Sequence, residues 1–154
     1  MKMEKFAPSA RLEAIIMFLA LSNFQKFKVY QMDVKSTFLN GDLEEEVYIE
    51  QPEGFILGND VKLVCKLRKA LYGLKQAPRA WYYRFDKYLH QQGFSKGSTD
   101  NNLYTKMDSG KLLIIVVYVD DIIFGSNEES MSQNFASLVQ QEFEIVGLCY
   151  ILST

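Results

Sequence analysis

Apolar residues in this chain recur at helical spacing in three stretches and gather into short runs between them, which predicts a mixed fold. Pro8-Ser9 opens a first helix, with Ser9 as N-cap and Leu12, Ile15, Ile16 and Leu19 as its buried face. Phe24 to Lys28 closes it. Val29 to Val34 then reads as extended, with Asp33 a single acid inside an apolar strand. Thr37, Phe38 and Leu39 lead into an Asn40-Gly41 turn. Glu44-Glu45-Glu46 reads as an acidic loop passing into a short strand at Val47-Tyr48-Ile49. Turns follow at Pro52, Gly54 and Gly58-Asn59-Asp60. Val61 to Leu67 alternates like a half-exposed strand with its basic residues outward, and Ala70 to Ala77 reads as loop. Pro78 suits the first position of a second helix, which turns Trp81, Phe85, Tyr88 and Leu89 inward and stops at Gly93.

The most apolar segment runs from Leu112 to Ser126. Leu112 to Tyr118 is rich in β-branched residues and predicts a buried strand. Val119-Asp120-Asp121 interrupts it, Ile122-Ile123-Phe124 resumes it, and Gly125-Ser126 breaks it, so a hairpin with both aspartates at its tip is expected. Upstream, Leu103 to Met107 and the Asp108-Ser109-Gly110 turn extend this into an antiparallel meander. A third helix, with Glu128 and Glu129 in its first turn, directs Met131, Phe135, Leu138 and Val139 inward. Phe143 to Val146 reads as a last strand. The predicted fold is α+β: an antiparallel sheet with helices packed on one face, in a single domain over residues 1–154.

Composition narrows the picture. With 48% hydrophobic residues in a chain of 154, a real core is affordable and disorder is excluded. The net charge of −2 conceals an uneven distribution. Asp42, Glu44, Glu45, Glu46, Glu50, Glu53 and Asp60 occur without a base between Ser36 and Val61. Lys62, Lys66, Arg68, Lys69, Lys75, Arg79, Arg84 and Lys87 then follow with Asp86 as the only acid. This pattern admits an anion-binding face or two solvated surfaces. Cys65 and Cys149 are too few for a disulfide framework or a zinc site, and His90 alone excludes a His-based metal centre or a Ser-His-Asp triad. His90 is expected on a helix surface. Lys2 and Lys5 before the apolar Ala14–Leu21 run imitate a signal peptide, but Arg11 and Glu13 lie too close to that run. A cytosolic-type chain without a membrane span is expected.

Asp33, Asp120 and Asp121 each interrupt an apolar strand. An ionised carboxylate placed there without a partner costs several kcal/mol. If their strands are neighbours, three carboxylates converge as oxygen ligands that suit Mg²⁺. Two such ions about 4 Å apart clamp an in-line phosphoryl displacement. A solvated Asp-Asp turn at a sheet edge is the competing reading.

Three strings carry a family resemblance: Gln31-Met32-Asp33-Val34-Lys35-Ser36-Thr37-Phe38-Leu39-Asn40-Gly41, then Leu71-Tyr72-Gly73-Leu74-Lys75-Gln76-Ala77-Pro78-Arg79-Ala80-Trp81, then Tyr118-Val119-Asp120-Asp121-Ile122-Ile123-Phe124. In order and spacing they resemble the copia-type retrotransposon reverse transcriptase, over roughly Phe6 to Phe143. The resemblance implies an RNA-directed DNA polymerase of right-hand architecture, of which this chain is similar to the palm with part of the fingers. It implies that Asp33 and Asp120 ligate two Mg²⁺ ions (Mn²⁺ as substitute), with Asp121 as a third carboxylate and the Val34 backbone facing the incoming triphosphate and its metal. Phe38 falls at the position of an aromatic sugar gate that would collide with a 2′-hydroxyl; ordinary core packing is its alternative role. Tyr72 and Gly73 fall where the nascent base pair meets the template. Lys75 and Arg79 fall where the nucleic-acid backbone would pass, with plain surface solvation as the alternative.

The implied partners are an RNA or DNA template-primer and deoxynucleoside triphosphates. The implied setting is intracellular, in a cytoplasmic virus-like particle or the nucleus, with oligomeric state left open. The family's upstream finger strands, thumb and RNase H domain have no counterpart in these residues. The isolated chain is therefore expected to be inactive by itself. Two alternatives stay open: a stranded transposon fragment that catalyses nothing, and a bare nucleic-acid-binding module built on Lys62 to Lys87, against which the overall acidity argues.

Overall fold

A computed structural model describes residues 11–57 and 63–152. The Pro8-Ser9 cap, the Gly58-Asn59-Asp60 turn and the Val61-Lys62 strand start lie outside the described residues. The elements are helix α1 (Leu12–Phe24), strand β1 (Lys28–Val34), a 3-10 turn (Thr37–Asn40), β2 (Asp42–Glu50), β3 (Val64–Lys69), helix α2 (Ala77–Gln91), β4 (Ser95–Lys96), β5 (Leu103–Asp108), β6 (Lys111–Tyr118), β7 (Asp121–Ser126), helix α3 (Glu129–Glu142) and β8 (Ile145–Leu152).

Six strands form one antiparallel sheet in the order β4-β5-β6-β7-β1-β8, and β2 and β3 pair separately. Reduced to β1-α2-β6-β7-α3-β8, the large sheet has the connectivity of a ferredoxin-like βαββαβ unit. The expected meander is present. Ser109 and Gly110, both at positive φ, close the β5–β6 hairpin as a two-residue primed turn.

Alternation along the strands separates two cores. Met32, Val34, Leu113, Ile115, Val117, Ile122 and Phe124 face α2 and α3, where Trp81, Phe85, Leu89, Phe135 and Val139 cover them. Val29, Ile114 and Val116 face the other way, against Phe18 and Phe27. The expectation of helices on one face is thus corrected: α2 and α3 share a face, while α1 lies on the opposite one. Its buried face also differs, because Phe18 and Ser22 are buried, Ile15 and Leu19 are half-buried, and Leu12 and Ile16 are exposed. A helix apolar on every side gives periodicity nothing to select.

The second helix matches its expected face, with Trp81, Phe85, Tyr88 and Leu89 buried. It ends as a Schellman motif, the Gly93 N–H donating to His90 O and the Phe94 N–H to Leu89 O, each at 3.0 Å, with Gly93 at φ +82°. On α3, Phe135 and Val139 are buried, but Leu138 is exposed. His90 is exposed, as expected, and Cys65 and Cys149 are free thiols.

Four boundaries differ from expectation. Glu44-Glu45-Glu46 belongs to β2, where Glu46 pairs with Lys66, and Asp42 with Lys69 at 2.5 Å, across to β3. The acidic and basic runs therefore partly neutralise each other. Asn40 ends a 3-10 turn, and Gly41 is needed for space: a Cβ there would lie 2.7 Å from the Trp81 nitrogen. Gly125-Ser126 continues β7 because a glycine lets β1 approach, a Cβ at 125 falling 2.9 Å from Lys28 O. The last strand runs to Leu152 and pairs along β1, well past Val146. No helix among the described residues is long and apolar enough to cross a membrane.

Candidate active site

Asp33 and Asp121 are cross-strand partners on adjacent strands, and both lie on the α1 side of the sheet. Asp120 precedes Asp121 in a two-residue connection, Val119-Asp120, closed by the Tyr118–Asp121 pair. The expectation of both aspartates at the tip is corrected by one residue: Asp120 is in the loop and Asp121 opens β7. Asp33 and Asp121 are thus brought side by side, and Asp120 lies close enough for its charge to act on Asp33. Loss of water around Asp33 and the negative charges of Asp120 and Asp121 together hold its carboxyl above the usual carboxylate range.

The local sequence explains this placement. Period-two alternation puts Gln31 and Asp33 on one face and Met32 and Val34 in the core. Gln31 Nε2 donates to Asp121 Oδ1 at 2.7 Å, so one oxygen of Asp121 is already engaged. A β-bulge on β8 opposite Asp33 and Val34 leaves Val146 between the residues paired to them. The Val34 N–H donates to Asp120 O at 3.2 Å, tying the motif strand to the hairpin tip. The Val34 carbonyl accepts from Thr37 Oγ1 at 2.6 Å, which starts the 3-10 turn bearing Phe38.

That turn brings Phe38 to Tyr72, with ring centroids 4.5 Å apart. Phe38 is half-buried against the main core and Tyr72 is 60% exposed, so the pair offers an aromatic surface to solvent. Tyr72 and Gly73 are the central residues of a type II turn, with Leu74 N–H donating to Leu71 O at 3.2 Å. Gly73 sits at φ +92°, which the second central position requires. Lys75 and Arg79 are exposed and have no ion pair among the described residues. Arg79 borders a cleft of about 160 Å³ with Asp42, Glu44, Glu45, Gln76 and Tyr83, which the three aspartates do not line.

Two contacts escaped sequence reasoning. Trp81 Nε1 donates to Val119 O at 2.7 Å, and Gln31 holds Asp121. Each had a signal: a buried indole N–H needs an acceptor, and Gln31 stands two residues before Asp33 on the same strand face.

All nearby donors are oxygens, which fits a hard divalent cation. Among the described residues no group of three or more His, Cys, Asp or Glu side chains is placed so that it could hold a metal ion by itself. Mg²⁺ ordinarily takes one or two carboxylates and completes its shell with water and phosphate oxygens, so the Asp33–Asp121 pair with Asp120 beside it still fits an ion that substrate phosphates help to hold.

Residues 2–153 match the family described as reverse transcriptase (RNA-dependent DNA polymerase). The chain is 39% identical over 146 residues to the retrovirus-related Pol polyprotein from transposon TNT 1-94 of Nicotiana tabacum, covering 94% of this chain and 11% of that protein. It is 38% identical over 142 residues to the Pol polyprotein from transposon RE1 of Arabidopsis thaliana, covering 92% of this chain and 10% of that one. Against the truncated transposon Ty1-A Gag-Pol polyprotein of Saccharomyces cerevisiae it is 28% identical over 131 residues, covering 85% and 10%. The chain thus spans about a tenth of the length of these relatives. No solved structure matches it.

Proposed function

The chain belongs to the reverse transcriptase family, in its copia-type retrotransposon branch, and from that premise we propose that it is the palm, with part of the fingers, of an RNA-directed DNA polymerase acting within a longer Pol polyprotein. The observation that carries this reading is the cross-strand pairing of Asp33 with Asp121 on one open sheet face, with Asp120 in the connection that adjoins them.

In this reading Asp33 and Asp120 hold two Mg²⁺ ions, or Mn²⁺ in their place. Asp121, restrained by Gln31, adds negative charge and completes the set. When bound, the ions would neutralise the carboxylates and act as Lewis acids on the triphosphate. The chain's own residues orient the reactants. Val34 presents its backbone to the incoming nucleotide, and the Phe38–Tyr72 aromatic pair borders the sugar and the nascent base pair, with Gly73 shaping the turn. Phe38 would exclude a 2′-hydroxyl by collision. Lys75 and Arg79 supply positive charge to a template-primer backbone. In the proposed reaction the primer 3′-hydroxyl attacks the α-phosphorus of a deoxynucleoside triphosphate, a phosphodiester bond forms as the bond to the β-phosphate breaks, and pyrophosphate leaves, with an RNA or DNA template directing the choice of nucleotide.

Primer extension on an RNA template with Mg²⁺ tests this, using the 154-residue chain and a longer Pol segment that contains it. The longer segment should extend the primer, its Asp120→Asn variant should not, and the short chain alone should be inactive. Extension that survives Asp120→Asn would overturn the assignment. Phe38→Val in the longer segment should admit ribonucleotides; unchanged sugar selectivity would return Phe38 to a packing role.

A further inference from the structure

We propose that Trp81 is a positioning residue, whose indole holds the Val119-Asp120 connection in a left-handed conformation and so aims Asp120 beside Asp33. The inference rests on the reading of those aspartates as the catalytic pair.

Val119 stands at φ +55°. A β-branched side chain resists that region, where hairpins ordinarily place glycine, asparagine or aspartate. Something must hold it there. The Val119 carbonyl belongs to the peptide that joins it to Asp120, so fixing that carbonyl fixes the direction in which the chain enters Asp120. Trp81 Nε1 donates to this oxygen at 2.7 Å, and Val34 N–H donates to the next carbonyl, Asp120 O, at 3.2 Å. The tip is thereby anchored from α2 and from β1.

The donor is itself rigid. Trp81 is buried, stacked on Phe85 at 5.2 Å and edge-on to Phe143 at 5.3 Å. Val119 is 44% exposed, and it is absent from both buried clusters that pack the sheet. Helix α2 thus reaches through the closed side of the sheet edge to set the conformation of a tip whose acid serves the open side. Trp81 touches no reactant in this arrangement; it acts through Val119.

Two variants separate positioning from packing. Trp81→Phe keeps a ring and removes the donor. Val119→Gly removes the resistance to positive φ, so the tip no longer needs the donor. The scalar coupling and carbon shifts of residue 119 in NMR spectra of the 154-residue chain report its φ, and a Mn²⁺ titration reports the site. Trp81→Phe should move Val119 out of the left-handed region and weaken Mn²⁺ binding about tenfold or more, as loss of an outer-shell support does. Adding Val119→Gly should restore most of both. A Trp81→Phe chain that keeps Val119 left-handed with unchanged Mn²⁺ affinity would overturn the proposal, as would failure of Val119→Gly to restore. Should Trp81→Phe not fold, the wild-type indole proton decides, because rapid exchange with solvent means that no lasting hydrogen bond exists. Mn²⁺ binding unaffected by Asp120→Asn would instead sink the metal reading and leave the conformation of Val119 to judge Trp81.

Discussion

On one face of the six-stranded sheet, Met32, Ile122 and Phe124 lie under two helices and a run of aromatic rings. On the other, Gln31, Asp33 and Asp121 stand in the same rows as Val29 and Ile123, and α1 covers only the apolar end. The strands are shared, so the difference comes from alternate residues of β1 and β7. A charge on the closed face would be desolvated without a partner. On the open face the same charge keeps water or accepts a cation. In the proposed reading, stability and chemistry are thus divided between the sides of a single sheet.

Truncation should break this division most visibly. Phe85→Ala, on α2 beneath Trp81 and Phe143, should cost about 3–5 kcal/mol of unfolding free energy by urea denaturation. Asp33→Asn should leave the urea midpoint unchanged or raise it, because it removes a carboxylate that is crowded by two others. It should nevertheless abolish primer extension by the longer segment. Equal destabilisation by the two substitutions would mean that the open face is also a structural core.

Two glycines next sharpen where the open face closes. A Cβ at Gly125 would meet Lys28 O at 2.9 Å and Phe18 at 3.4 Å, whereas a Cβ at Gly147, the β8 partner of Asp33, meets nothing within 4 Å. Gly125→Ala should therefore cost about 1–3 kcal/mol as an overpacked contact. Gly147→Ala should stay within about 0.5 kcal/mol. Similar losses at both, read from the same denaturation curves, would show that Gly147 too is enclosed.

These contrasts mark what the sequence could disclose. The inward face of α2 was legible because Arg79, Arg84, Asp86 and Lys87 punctuate its apolar residues at positions off the Trp81–Phe85–Leu89 stripe. That of α1 was not, since Leu12, Ile16, Met17 and Phe24 are as apolar as the residues it buries. Glu44-Glu45-Glu46 hid a strand because Lys66, the partner of Glu46, and Lys69, the partner of nearby Asp42, lie on another strand and carry the opposite charge. Gly125 looked like a break because its purpose is a close approach by β1 that no local pattern records. The three aspartates were legible as interruptions of apolar runs. Their alignment, and the grips of Gln31 and Trp81, depend on which strands neighbour one another, which is a property of the tertiary fold.

The smallest effect expected lies at the rim of the closed face. Glu129, at the start of α3, pairs with Lys28 and accepts a hydrogen bond from Tyr30 Oη at 2.8 Å. The Lys28 ammonium first, and the Tyr30 hydroxyl second, hold the Glu129 carboxyl below the usual glutamate range. Burial and Glu129 together push the Tyr30 hydroxyl up to about 12. A carboxyl with a depressed folded-state pKa stabilises the fold above its unfolded pKa, and that contribution disappears as pH falls through the folded value. Position in the first helical turn adds to it in the same direction. Glu129→Gln should lower the urea midpoint slightly at pH 7 and less at pH 3, and added salt should shrink the pH 7 difference because the pair is partly exposed. A difference that is equal at both pH values and indifferent to salt would assign Glu129 to neutral hydrogen bonding with Tyr30. The rim would then resemble the uncharged interior it borders, and the charges of functional interest would be confined to the open face.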